Sequence, residues 1–184
     1  ANLDGNSLSR VRNLPFNNDE YSVMHPTLTK DGSRLYFSSN MPDGLGGFDL
    51  YYVNIDEGGR YSAPVNLGPG VNTEGNEVFP FIFRDDVLFF ASNAHPGLGG
   101  LDVYMTVDLL TENQQVLNMG SPFNTSSDDF CLYLDTQFKF GYISSNRKGG
   151  KGEDDIYSFK IDIPPPFGVD DYYTMARGDT LVLG

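Results

Sequence analysis

The sequence predicts an all-β fold, a β-propeller, and three observations carry that reading. First, one stretch occurs three times, over residues 37–51, 90–104 and 143–157. Asn40, Asn93 and Asn146 are spaced 53 residues apart, as are Asp49, Asp102 and Asp155, and Tyr51, Tyr104 and Tyr157. A fixed period near 50 with strand-like content marks an array of blades. Second, each copy sits among short segments rich in aromatic and β-branched residues. Third, the chain holds 14 Phe and 11 Tyr for pleated, half-buried surfaces, and 21 Gly and 11 Pro for turns.

The elements follow in order. The first unit places strands over residues 24–29, 34–38, 49–55 and 61–67. Lys30, Asp31, Gly32 and Ser33 form the first turn, and Glu57, Gly58 and Gly59 the last. The second unit repeats this over 78–83, 87–91, 102–107 and 115–119, and the third over 130–134, 138–144 and 155–161. Arg84, Asp85 and Asp86, and Asp135, Thr136 and Gln137, read as hairpin turns. Four antiparallel strands per radially repeated unit describe propeller blades. No helical periodicity competes with them.

Residues 1–14 share with 53–67 an apolar–Asp pair, a Gly turn and a closing Asn-Leu. Ala1 therefore falls inside the third strand of an earlier blade, and further sequence is expected upstream. After Ile161 the chain runs into Pro164, Pro165 and Pro166, an extended stop signal. Closed propellers use about four to eight blades, so upstream blades, in preference to an oligomer, are expected to complete the ring. The predicted division is propeller blades over 1–163, a Pro-rich linker over 164–168 and the start of a second β domain over 169–184.

Charge and composition exclude several functions. A net charge of −13 disfavours nucleic acid and anionic membrane surfaces, which need a basic footprint. No stretch reaches the roughly 18 apolar residues of a membrane-spanning helix. The single cysteine, Cys131, lies in the apolar run Phe130-Cys131-Leu132-Tyr133 and is expected to be a buried structural thiol. His25 and His95 belong to no triad, and there is no Gly-x-Ser-x-Gly elbow or two-His zinc motif. No cofactor is expected.

The repeated residues have a structural reading. The loop glycines allow positive φ in a tight connection. Asp49, Asp102 and Asp155 open third strands, where a carboxylate ties down loop amides. The functional alternative is a Ca²⁺ cage around Asp43 and Asp49. Asp43 aligns with Pro96 in the second copy, so the cage does not repeat and no metal is expected. The loops between second and third strands share one face with the connections between blades. That face presents Asn40, Asn93, Asn146, Glu77 and Asp129, the candidate binding residues, since loops on rigid scaffolds commonly carry binding.

The aromatic-Ser-Ser-Asn and Gly-Gly-x-Asp-x-Tyr pattern resembles the WD-like propeller repeats of the TolB type, over residues 1–161. The third copy departs from it, with Gly152-Glu153-Asp154-Asp155 in place of Gly-Gly-x-Asp. The resemblance implies an extracytoplasmic setting, periplasmic, outer-membrane-associated or at the cell surface. Related proteins carry OmpA-type peptidoglycan-binding domains and include parts of the Bacteroidota type IX secretion and gliding machinery. It implies a non-catalytic binding or scaffolding module with a protein partner, or with peptidoglycan or another glycan. Asp170-Asp171-Tyr172-Tyr173-Thr174, followed by Thr180-Leu181, resembles the opening of bacterial cadherin-like or Ig-like surface repeats, which implies a secreted adhesin as one alternative. The propeller domain of a hydrolase is the other.

Overall fold

The computed structural model describes residues 2–4, 7–9, 11–84, 87–137 and 139–161. The linker and second-domain expectations for 164–184, and the turn at Asp85 and Asp86, lie outside the described residues. A short hairpin comes first, β1 (Asn2–Asp4) with β2 (Ser7–Ser9). Three antiparallel sheets follow. The first is β3 (Val23–Leu28), β4 (Arg34–Ser39), β5 (Asp49–Asn54) and β6 (Val65–Asn66), paired in that order. The second is β7 (Glu77–Arg84), β8 (Val87–Ser92), β9 (Asp102–Val107) and β10 (Gln115–Asn118). The third is β11 (Asp129–Leu134), β12 (Phe140–Ser145) and β13 (Asp155–Lys160). These are three consecutive propeller blades, and the described residues contain no helix.

Burial explains the order of the blades. In the middle blade all six residues of β8 are buried, because both faces of the sheet are covered. Leu88 and Phe90 join Tyr36 and Leu50 of the first blade in one core. Val87 and Phe89 point the other way and join Leu132 and Ile143 of the third blade in a second core. The outer face of the first blade, with Phe37, Tyr51 and Val53, is covered by Phe16 and Leu14. β13 alternates between half-buried and exposed residues along its length, as a strand covered on one face does.

The fourth strand of the first blade is shorter than the expected 61–67. It consists of Val65 and Asn66, preceded by an isolated bridge between Ile55 and Tyr61. Pro64 has no N–H to give the ladder, and the Asp56 carboxylate holds the amides of Gly58 and Arg60 in a turn instead. Each first strand also carries a register shift. The residues at these β-bulges, His25, Phe79 and Cys131, have φ of 53°, 54° and 52°. A bulge adds one residue and inverts the in–out phase. Cys131 is exposed in consequence, which corrects the expectation of a buried thiol. The same bulges stack His25 on Phe79 and Phe79 on Phe130, with centroids 3.9 Å and 5.1 Å apart.

Candidate functional site

The loops between second and third strands and the connections between blades meet at one end of the sheets. Asp49, 1% exposed, stands at the start of β5. Its carboxylate accepts from the backbone N–H of Leu45 at 2.6 Å and of Gly46 at 3.2 Å. Asp102 accepts from Leu98 at 2.7 Å and Gly99 at 3.0 Å, and Asp155 from Lys151 at 2.6 Å and Gly152 at 3.1 Å. In all three blades one carboxylate folds its own loop back over the strand. Each donor is a backbone amide that the loop would otherwise leave without a partner.

The loop is then clamped to the connection leading to the next blade. Gly47 N–H donates to the Gly75 carbonyl at 2.7 Å, and Glu77 N–H to the Phe48 carbonyl at 2.6 Å. In the second blade Asp129 N–H donates to the Leu101 carbonyl at 2.7 Å. This contact is the reason for the glycines. A Cβ on Gly46 would lie 2.5 Å from the carbonyl oxygens of both Thr73 and Gly75. Gly44, Gly46, Gly47, Gly97, Gly99 and Gly100 are not among the positive-φ glycines. The expectation of a left-handed turn is thus corrected for these six, although it holds at Gly149 of the third loop, with φ of 99°. Gly46 and Gly99 serve close approach of backbone to backbone, whereas a Cβ on Gly44 or Gly97 would meet the Asp49 or Asp102 carboxylate, and one on Gly47 or Gly100 the Asn76 or Asp128 side chain.

Asn40, Asn93 and Asn146 are exposed, but their side-chain oxygens hold the chain entering each blade. They accept from Ser22 N–H at 2.7 Å, Asn76 N–H at 2.8 Å and Asp128 N–H at 2.8 Å. Glu77 and Asp129, both 0% exposed, lie beneath the face and not on it. Glu77 accepts from Thr73 N–H and Oγ–H and from Ser92 Oγ–H at 2.8, 2.6 and 2.6 Å. Asp129 accepts from Thr125 N–H at 2.6 Å and pairs with Arg147 at 2.6 Å. Their assignment as accessible binding residues is therefore corrected. A carboxylate is buried only where donors satisfy it, and these two have them.

Tyr51 and Tyr104 are buried beside the loops, and burial pushes both phenols up from their ordinary value. Tyr104 donates to the His95 carbonyl at 2.9 Å, whereas the hydroxyls of Tyr51 and Tyr157 have no partner among the described residues. His95 Nε2 lies 2.8 Å from the Val71 carbonyl, so that nitrogen carries the proton, and His25 Nδ1 accepts from Phe79 N–H at 3.3 Å. Among the described residues neither imidazole hydrogen-bonds to a serine or a carboxylate. Among the described residues no group of three His, Cys, Asp or Glu side chains is placed to hold a metal ion.

Two sets of residues escaped sequence reasoning. Asn72 and Asn124, 2% and 1% exposed, bond to both backbone groups of Leu50 and Val103, and to Asn66 and Asn118. They stand in for a strand where the ladder ends. Their signal was an Asn-Leu or Asn-Met followed six residues after the first Asn by Asn-Thr, in both connections. The second set is at the loop tips. Leu45 and Leu98 occupy the same place in their loops and are 45% and 57% exposed, and Lys151 takes that place in the third. The shorter of the two amide contacts to each aspartate described above belongs to these three residues. The signal was the repeated Gly-Leu-Gly-Gly.

No family model matches the chain, and a search of curated proteins finds no match in sequence. Solved structures do match the fold. A puromycin-hydrolyzing peptidase of Mycobacterium tuberculosis matches with a TM-score of 0.50 and 15% identity, over 80% of this chain and 23% of that one. Prolyl oligopeptidase B from Galerina marginata, bound to a 35mer hydrolysis and macrocyclization substrate, matches with a TM-score of 0.51 and 15% identity, over 81% of this chain and 20% of that one. The chain thus spans about a fifth of the length of the proteins it resembles. At this identity the likeness establishes a shared β-propeller fold and nothing finer.

Proposed function

We propose that these blades form a non-catalytic binding module in which the loop face docks a protein partner of the cell envelope. One observation carries the reading. Leu45, Leu98 and Lys151 are presented on loops whose amides are fixed by buried or half-buried aspartates. Exposed tips that are already rigid, two of them apolar and one cationic, lose little entropy on contact, which is how a small surface gains affinity. The carboxylates of Asp49, Asp102, Asp155, Glu77 and Asp129 at this end are committed to the scaffold, which leaves the exposed loop tips as contact points. The envelope setting comes from the TolB-type repeat resemblance.

The test is capture of envelope proteins, with peptidoglycan sacculi as a parallel bait, by the intact protein and by Leu45→Ser/Leu98→Ser. Recovery of the partner should fall by about ten-fold, while stability changes by less than about 0.5 kcal/mol, as for other surface substitutions. Lys30→Ser, in the turn at the opposite end, should change neither. Equal loss from both variants would reject this face. A second reading, the propeller of a hydrolase, draws on the peptidases that share the fold. It predicts peptide hydrolysis by the full-length protein, with the tip variants altering substrate preference and leaving no separate partner to capture.

A further inference from the structure

We infer that the loop end of the first two blades docks a cationic polypeptide segment that carries apolar side chains among its Lys or Arg residues. The inference rests on the loop-face reading and adds the chemistry of the partner. The surface is continuous. Ser22 N–H donates to Asn40, Gly47 N–H to the Gly75 carbonyl, and Asn76 N–H to Asn93. Residues 17–22, 40–48, 72–77 and 93–101 therefore lie side by side, with the exposed tips Leu45 and Leu98 among them.

Charge is segregated along the strands. These four segments contain no Lys or Arg. The cations between Val23 and Asn118 are Lys30, Arg34, Arg60 and Arg84, and all are placed at the opposite end, in its turns or at the strand ends beside them. That end also holds Glu57 and Glu112 and so mixes both signs. The loop end exposes Asp19, Glu20, Asp43 and Glu74 with no cation beside them in sequence. Among the described residues, Asp19, Asp43 and Glu74 make no hydrogen bond or ion pair. The Asp31 and Asp56 carboxylates at the opposite end, by contrast, hold their own turns closed.

Hydrogen bonding points to the same partner. All four amides of 45–48 donate within the protein, as do those of 75–77 and of Leu98, Gly99 and Leu101. The backbone here has used its donors, while the free carboxylates remain as acceptors. The partner must bring donors, and Lys and Arg bring donors and positive charge together. Leu45 and Leu98 call for apolar side chains between those cations. An acidic segment is repelled, since complementary charge decides which partner is admitted and how fast it arrives. The third loop sets Lys148 and Lys151 against Glu153 and Asp154. The acidic field ends there, so the segment lies over the first two blades.

The probe is a labelled peptide alternating Lys and Leu, titrated into the full protein by fluorescence anisotropy. Saturable binding is expected, about ten-fold tighter than for a peptide alternating Glu and Leu or one alternating Lys and Ser. Asp43→Asn/Glu74→Lys should weaken the Lys–Leu peptide about ten-fold and strengthen the Glu–Leu peptide, with Asn chosen because it tolerates the positive φ of Asp43. Glu57→Gln/Glu112→Lys makes the same change in net charge at the opposite end and should leave both titrations unchanged. No saturable binding, equal binding of the Glu–Leu peptide, or equal loss from the two charge variants overturns the inference. Capture of the partner that is lost in Leu45→Ser/Leu98→Ser but unchanged in Asp43→Asn/Glu74→Lys overturns it and leaves the loop-face reading standing. Capture and peptide binding that both ignore Leu45→Ser/Leu98→Ser overturn the two together.

Discussion

Glu77→Ala is expected to destabilise the protein by about 4 kcal/mol, an effect at the top of the range for single substitutions. Three donors, Thr73 N–H, Thr73 Oγ–H and Ser92 Oγ–H, lose their acceptor around a side chain that is 0% exposed, with Ser92 fully buried and Thr73 half-buried. Each unsatisfied buried donor costs about 1–3 kcal/mol, although the two hydroxyls can turn toward other acceptors and the amide cannot. Glu77→Asp should cost less, because a shorter carboxylate at the matching place, Asp129, holds the Thr125 amide in the third blade. Glu77→Gln should fall between them, since its NH₂ meets donors. Urea unfolding measures all three. An Ala variant within about 0.5 kcal/mol of wild type would show that this carboxylate is a surface group after all.

The second large effect is steric. Gly46→Ala places a Cβ 2.5 Å from the carbonyl oxygens of Thr73 and Gly75, which are backbone atoms and cannot swing away. The loop must separate from the connection, and the Gly47 to Gly75 hydrogen bond goes with it. A loss of about 3 kcal/mol is expected, at the upper end for overpacking. Gly70→Ala is the control. Its Cβ would meet only the Gln114 side-chain amide, at 3.1 Å, and a flexible side chain can move. Equal melting temperatures for the two variants would contradict a close backbone contact as the reason for Gly46.

The two variants mark where sequence reasoning succeeded and where it stopped. The repeat placed the first three strands of every blade, because alternation and turn residues act locally. The fourth strand of the first blade was overextended, since the bonding of Asp56 to its own turn competes with the ladder and leaves no mark in hydropathy. Glu77 and Asp129 were read as exposed because acidic residues in loops are usually solvated. Their burial follows from an Asn-Thr four residues upstream, a pattern present in both connections but meaningful only once the Thr donors are seen to converge. Cys131 was misplaced by a bulge, which reverses alternation without altering composition. The Gly-Gly pairs of the first two loops were recognised as important and given the wrong reason, although a positive φ is found at Gly149 of the third: a positive φ is a property of one residue, whereas close approach needs a second segment that the sequence does not place.

The central claim is that the repeated aspartates are fasteners that hold the loop face rigid. Amide hydrogen exchange at Leu45, Leu98 and Lys151 tests it most directly, since these donors lie at loop tips and are pinned only by Asp49, Asp102 and Asp155. The account predicts protection at all three in the wild type, unchanged by EDTA. In Asp102→Ala, protection should vanish at Leu98 and Gly99 and persist at Leu45 and Lys151. Tip amides that exchange at the rate of a free loop in the wild type, or that gain protection only when Ca²⁺ is added, would contradict it.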